Sequence, residues 1–220
     1  RSPNFGMTAA DFANAATYNM EERYTAYTKG SQTPSTPQTP SGTTVPPSGA
    51  RIRLCIEADQ RAGSLLDALE RANGWATFYC TPEFMENNGD LLRRLAVSGS
   101  AVGLLLDPED PAESLDQQLK RGNDALYRAT LTRTRLVYAD GGEETLQALE
   151  QLGYSCLTPD MDRTDYKLES AANAAALLKR VSTRRRDMSV WLGTTASAAG
   201  VKEFVSSAQR EGHYCRAMTE

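Results

Sequence analysis

The 220-residue chain has few of the side chains that enzymes use for metal or acid–base chemistry. It contains one histidine, His213, and four cysteines with no CxxC spacing. A zinc site built on imidazoles needs two or more histidines, and histidine-dependent acid–base catalysis needs one in the site. Metal chemistry in this chain would therefore have to use carboxylates or thiolates.

The sequence also lacks a long apolar run, a glycine-rich phosphate loop and an excess of positive charge. Its longest apolar stretch, Ala101 to Leu106, is far shorter than the roughly 20 residues that span a bilayer. Lys and Arg number 24 against 28 Asp and Glu, which gives a net charge of −4. An acidic chain without such motifs is not typical of nucleic-acid or nucleotide binding. We expect no transmembrane segment and no nucleic-acid partner.

The four cysteines lie in apolar, strand-like runs: RLCIE, TFYCT, YSCLT and HYCRA. An even number permits disulfides, but buried free thiols are common in such runs. We therefore favour buried thiols at Cys55, Cys80, Cys156 and Cys215.

Composition divides the chain into three parts. Residues 31–50 hold five of the ten prolines and no charge, which indicates an extended linker ahead of a main domain at 51–220. Residues 1–30 predict an amphipathic helix, whose apolar stripe is formed by Phe12, Ala16, Met20, Tyr24 and Tyr27. Packing of this stripe on another domain is the favoured interpretation, and a protein partner is the alternative. Ser/Thr/Pro tethers favour an extracellular or cell-envelope location in a bacterium, with any signal or anchor outside this chain.

From Arg51 onward, strand-like and helix-like segments alternate. The strand-like runs are RIRLCIE, WATFYC, AVGLLL, TRLVY, YSCL, MSVWL and HYCRAM, and leucine-rich helical spacing separates them. Seven strands with six intervening helices predict a parallel α/β fold, either a small barrel or an open sheet. Right-handed crossovers would place the carboxyl ends of all strands on one face, where a site is expected.

Several of these runs resemble, in order, the motifs of the polysaccharide deacetylase (NodB homology) family. RLCIEADQ resembles the LTFDDGP strand, TRLVYADG the RxPYG strand, MSVWLGTT the ILLHD strand and REGHYCRAM the closing KGYxFVTL strand. GSAVGLLLDPEDP stands where the family has its HxxxH motif. The resemblance covers about three quarters of the chain and implies a distorted parallel (β/α)7 barrel.

In active members of that family, one aspartate and two histidines hold a divalent ion for amide hydrolysis. The resemblance places these ligands at Ala58, Leu105 and Glu109, the general base at Glu57 and the general acid at Thr194. Three further positions, Arg135, Tyr138 and Asp162, keep the family's residue type and, together with Thr194, are expected to bind substrate. Because two ligand positions hold side chains that cannot coordinate a metal, we expect no conventional metal site and no cofactor.

Carboxylates are nevertheless plentiful near the predicted strand ends, at Glu57, Asp59, Asp107, Glu109, Asp110 and Asp140. Clustered oxygens would suit Ca²⁺ or Mg²⁺, and paired carboxylates could support glycoside chemistry. The favoured interpretation is that they are solvated loop residues and helix N-caps, because Asp107, Asp110 and Asp140 each precede a predicted helix.

Three hypotheses about function follow. The first is a catalytically degenerate deacetylase-like domain that serves as a cell-envelope module, either structural or binding cell-wall glycan or peptidoglycan. The second is a divergent carbohydrate deacetylase or hydrolase that uses Glu57 and the acidic rim. The third is a protein-interaction scaffold that uses the helix predicted in residues 1–30.

Overall fold

A computed structural model describes residues 49–219 of the chain, apart from Asp165 and Arg185. The helix predicted in residues 1–30 and most of the predicted linker lie outside the described residues. Among the described residues, no helix is both long and apolar enough to cross a bilayer.

Strands and helices alternate along the described chain. The seven strands are β1 (Arg51–Glu57), β2 (Ala76–Cys80), β3 (Ala101–Leu106), β4 (Leu136–Ala139), β5 (Ser155–Cys156), β6 (Met188–Gly193) and β7 (Tyr214–Cys215). The seven helices found there are α1 (Ala62–Arg71), α2 (Pro82–Asn87), α3 (Gly89–Ser98), α4 (Leu115–Thr130), α5 (Glu143–Gln151), α6 (Ala171–Arg184) and α7 (Ala198–Arg210).

The strands form one curled, parallel sheet in the order β5-β4-β3-β2-β1-β6, and β7 pairs with the start of β1. Beyond β5, Met161 forms a parallel bridge with Val190 of β6. The chain that leaves one edge of the sheet thus returns to pair with the other edge, which closes the curl. The predicted distorted barrel is confirmed, and all strands point their carboxyl ends to one face, the strand-end face.

Burial on both sides of the sheet explains the continuous apolar runs of the sequence. All five residues of β2 and all six of β6 are buried. The outer side packs against the helices and forms the larger core, whereas a smaller cluster fills the inside of the barrel. Strands covered on both faces cannot alternate between polar and apolar residues, and these do not.

The helices begin where the sequence provides caps. Ser114 and Gln117 form a reciprocal capping box at the start of α4. Thr81 caps α2, whose first residue is Pro82, and this short helix precedes α3 where the sequence predicted a single helix. The proline and the cap favour a helix start seven residues ahead of α3.

His213 is a buried structural residue. Its Nδ1 atom accepts a 3.0 Å hydrogen bond from the backbone N–H of Ala50, and Nε2 lies 3.0 Å from the Ser182 hydroxyl. Ala50 is itself buried, so the packed domain begins slightly before β1. The only histidine therefore anchors the start of the domain, directly ahead of β7 and at the opposite end of the barrel from the strand-end face.

The four cysteines are free thiols. Burial raises the pKa of Cys55 and of Cys215 to about 12, so both thiols stay protonated at neutral pH. The preference for thiols over disulfides is confirmed.

Candidate functional site

An aromatic cluster, defined by Tyr79, Tyr138 and Trp191, fills the inside of the barrel below the strand-end face. The Tyr138 and Trp191 rings stack with their centroids 4.0 Å apart, and Tyr79 meets both rings edge-on at 6.2 and 5.6 Å. Tyr79 is fully buried and Trp191 is 3% exposed. Leu105 packs against this cluster.

Gly103 makes room for the cluster. A Cβ atom at this position would lie 2.5 Å from the ring of Tyr79, so only glycine lets the ring lie against β3. The Tyr79 hydroxyl has no hydrogen-bond partner in the described structure. Burial, and then the nearby thiols, raise the pKa of Tyr79 well above its ordinary value, so the hydroxyl is neutral. The barrel interior is therefore an apolar plug.

The positions at which the resemblance places metal ligands do not fit a metal ion. Ala58 is buried and offers no donor side chain, and its backbone N–H bonds to the carbonyl of Tyr79. Leu105 is apolar and packs on the aromatic cluster, whereas Glu109 is exposed. In the described part of the chain, no three His, Cys, Asp or Glu side chains come close enough together to hold an ion.

Charged groups act on Tyr138 at the top of the plug. Burial raises the pKa of Tyr138, the negative charges of Asp140, Asp162 and Glu57 raise it further, and the positive charge of Arg163 opposes them. These charges act on one phenol because the ends of β1 and β4 and the loop after β5 converge there. The structure thus brings together three predicted site residues, Glu57, Tyr138 and Asp162.

The loop after β1 is tied to the loop after β6. The Arg61 guanidinium donates to the carboxylate of Asp59 at 2.6 Å and to the backbone carbonyl of Thr194 at 2.6 Å. Burial would raise the pKa of Asp59, but hydrogen bonds from Arg61 outweigh it and hold this pKa below its ordinary value. Thr194, the predicted general-acid position, thus serves the structure through its backbone.

Arg135 is exposed, whereas Tyr138 is partly buried. Arg135 directly precedes β4, at the opposite end of this strand from Asp140. Three residue steps of extended chain lead from Arg135 to Tyr138, which is roughly 10 Å along the strand. The backbone of Tyr138 is therefore the nearer of the two to the strand-end face.

The acidic residues after β3 cap turns, whereas the sequence suggested helix caps. The carboxylates of Asp107 and Asp110 accept hydrogen bonds from the backbone N–H groups two residues further on. The N-cap of α4 is Ser114, and that of α5 is Gly142. The local hydrogen bonds of Asp107 and Asp110 account for the positions of these two carboxylates without a bound ligand.

A pocket of about 390 Å³ opens on the strand-end face, over the ends of β2, β3 and β4. Its apolar lining consists of Pro82, Leu105, Leu106 and Pro108, and its carboxylates are Glu83, Asp107, Asp110, Glu113 and Asp140. Arg121 completes the wall and pairs with Glu113 at 2.9 Å and with Glu86 at 2.7 Å. The pocket thus combines an apolar surface with an excess of hydrogen-bond acceptors.

Sequence reasoning missed Arg61, Arg121 and Arg163. The side chain of Arg163 lies against Gly193, because a Cβ atom added to Gly193 would be 3.2 Å from it. Gly193 also has a φ of +51°. A glycine directly after an apolar strand was a signal for such a close approach. Arg61 lies in the turn directly before α1 and Arg121 lies on α4, and neither carried a comparable signal.

No protein-family model and no curated protein matches the sequence. The fold nevertheless matches solved structures. The peptidoglycan deacetylase PdaC from Bacillus subtilis superimposes with a TM-score of 0.63 at 18% identity, over 78% of this chain and 89% of that one. A family 4 carbohydrate esterase from Streptomyces lividans, in complex with acetate, gives 0.62 at 17% identity, over 78% and 93%.

A mutant of a CE4 family pseudoenzyme also matches, with a TM-score of 0.62 at 17% identity, over 78% of this chain and 67% of that one. Identities this low establish the fold alone. The described domain has the distorted parallel (β/α) barrel fold of the family 4 carbohydrate esterases, the polysaccharide deacetylases that its motifs resemble.

Proposed function

We propose that this domain binds a cell-wall glycan at the pocket on its strand-end face and does not hydrolyse it. The observation that carries the proposal is the plugged barrel. Leu105 and the aromatic cluster occupy the space below the strand ends, while the pocket beside them stays open.

Loss of catalysis is supported by what stands at the ligand positions. A deacetylase of this fold needs an ion to polarise the acetyl carbonyl and to lower the pKa of a bound water. Ala58 and Leu105 offer no donor atoms. Glu57 remains at the general-base position, but a base alone lacks the electrophile that this reaction requires.

Glycan binding is supported by the chemistry of the pocket. Prolines and leucines offer apolar surface to the C–H faces of a sugar ring, and carboxylates such as Asp107 and Asp140 accept hydrogen bonds from hydroxyl groups. PdaC, which shares the fold, is a peptidoglycan deacetylase. A cell-wall glycan in the bacterial envelope is therefore the ligand and location that we propose for this chain.

Titration of the full chain with chitotetraose, followed by calorimetry, tests the binding. Asp140→Asn should weaken binding about tenfold, because a hydrogen bond to a charged acceptor is worth roughly 1.5–3 kcal/mol. Asp116→Asn, an equally exposed aspartate outside this pocket, is the matched control and should bind normally. Absence of binding to chitotetraose and to peptidoglycan fragments would overturn glycan recognition.

Release of acetate from the same oligosaccharide tests catalysis. We expect none above background, with or without added Zn²⁺ or Co²⁺. The alternative of a divergent hydrolase draws on the charges of Glu57 and Asp162, which both act on Tyr138. Acetate release that disappears in Glu57→Gln would establish that alternative, and sensitivity to a chelator would show that it uses a metal.

A further inference from the structure

The amino-terminal end of the barrel, opposite the pocket, carries a row of stacked arginines and aromatic rings. We call it the arginine ladder and define it by Trp75, Arg216, Tyr214 and Arg51. The Arg216 guanidinium carbon lies 4.1 Å from the Trp75 ring centroid and 5.5 Å from that of Tyr214. The guanidinium carbon of Arg51 lies 5.9 Å from the same Tyr214 centroid.

The backbone holds the ladder in place. Arg51 and Tyr214 are register partners where β1 pairs with β7, and the backbone N–H of Arg216 bonds to the carbonyl of Ile52 at 2.9 Å. Trp75 directly precedes β2 and donates its indole N–H to the carbonyl of Ser98 at 2.9 Å. The rings are therefore fixed before any ligand arrives, which lowers the entropic cost of binding.

The ladder is positively charged on an acidic protein. Arg51, Arg53 and Arg216 lie at this end, and Asp187 is their nearby carboxylate, at 3.8 Å from Arg51 and 4.0 Å from Arg53. Within the described residues, Arg216 forms no ion pair with a carboxylate, although its side chain is exposed. One carboxylate shared between two arginines leaves a local excess of positive charge.

We propose that the arginine ladder binds the carboxylate groups of an acidic polysaccharide. The Arg216 guanidinium lies over the Trp75 ring and presents its in-plane N–H groups at its edge, where they match the two oxygens of a carboxylate. Half-buried Trp75 and Tyr214 add apolar surface beside the charge, which suits the C–H face of a sugar acid. The positive charge favours any anion, whereas the apolar surface beside it favours an anion that carries a sugar ring.

The proposal is independent of glycan binding at the strand-end pocket. Six residue steps of β1 separate Arg51 from Glu57, roughly 20 Å along the barrel. Substitutions at one end therefore leave the other end unchanged, and each proposal can fail alone.

Binding of the full chain to immobilised polygalacturonate, with uncharged dextran as the reference polymer, tests the ladder. The protein should bind polygalacturonate at low ionic strength, lose affinity as salt is added, and ignore dextran. Arg216→Gln should weaken binding about tenfold, as expected for loss of a charge-assisted hydrogen bond. Arg93→Gln removes an exposed arginine on α3, outside the ladder, and should bind like the unmodified protein.

Trp75→Leu tests the stacking, because it removes a ring without changing any charge. It should weaken binding about threefold, in line with an exposed cation–π contact. Circular dichroism checks that each variant folds. If Trp75→Leu does not fold, the comparison of Arg216→Gln with Arg93→Gln still decides the proposal. Equal affinities of Arg216→Gln and Arg93→Gln, or no binding to polygalacturonate, would overturn the proposal. Equally tight binding of polyphosphate would overturn the assignment to a sugar acid.

Discussion

Replacing Tyr79 with phenylalanine should stabilise the protein, because the hydroxyl of Tyr79 is buried without a hydrogen-bond partner. A buried polar group left unpaired costs about 1–3 kcal/mol relative to the unfolded chain, where water satisfies it. Phenylalanine keeps the edge-on contacts of the ring with Trp191 and Tyr138. Only a small void replaces the oxygen, so we expect a net gain of about 1 kcal/mol in the free energy of unfolding.

Urea denaturation, followed by tryptophan fluorescence, measures this gain. Trp191 contacts the Tyr79 ring and reports directly on the packing of the barrel interior. Tyr138→Phe is the matched control: its hydroxyl reaches the partly exposed strand-end face, so its removal should change stability by less than about 0.5 kcal/mol. A loss of about 1 kcal/mol or more in Tyr79→Phe would refute the reasoning, because it would mean that the hydroxyl has a partner such as a buried water.

Three further substitutions test the packing and the ion pair. Gly103→Ala should destabilise the protein by about 1–3 kcal/mol in the same assay, because its Cβ would lie 2.5 Å from the Tyr79 ring. His213→Ala should cost about 2 kcal/mol, since it leaves a buried backbone N–H ahead of β1 without its acceptor. The lowered pKa of Asp59 means that its pair with Arg61 contributes stability above the ordinary carboxyl pKa and loses it as the pH falls through the lowered value. The stability difference between the unmodified protein and Asp59→Asn should therefore shrink from pH 7 to pH 3, and it should stay below about 1 kcal/mol because Arg61 is 44% exposed. A difference that grows on acidification would contradict the assigned pair.

The long elements were predictable because their signals are local. The runs RIRLCIE and AVGLLL coincide with β1 and β3. YSCL and HYCRAM predicted strands at the right places, yet β5 and β7 have only two residues each. A strand extends only as far as a neighbour pairs with it, and β7 finds a partner only at the start of β1. The length of an edge strand is therefore a property of the sheet.

The site was predictable in part. The resemblance indicated that Leu105 occupies a ligand position, and in the structure this side chain packs on the aromatic cluster. Arg135 shares the RxPYG-like motif with Tyr138, and the structure places it directly before β4. The Arg61 contact with Thr194 joins residues 133 positions apart in the sequence. No local pattern encodes such a pair.

By itself, the sequence determined the parallel α/β class, the order of the strands along the chain and a single histidine, placed in the last strand-like run. These depend on composition and on the spacing of apolar residues, which act over a few turns of chain. Only the tertiary structure decided that Tyr79, Tyr138 and Trp191 meet inside the barrel, that a pocket opens beside them, and that Arg51 and Arg216 stack around one ring. Such contacts depend on the closure and register of the sheet, because strand pairing brings together side chains that lie far apart in the sequence.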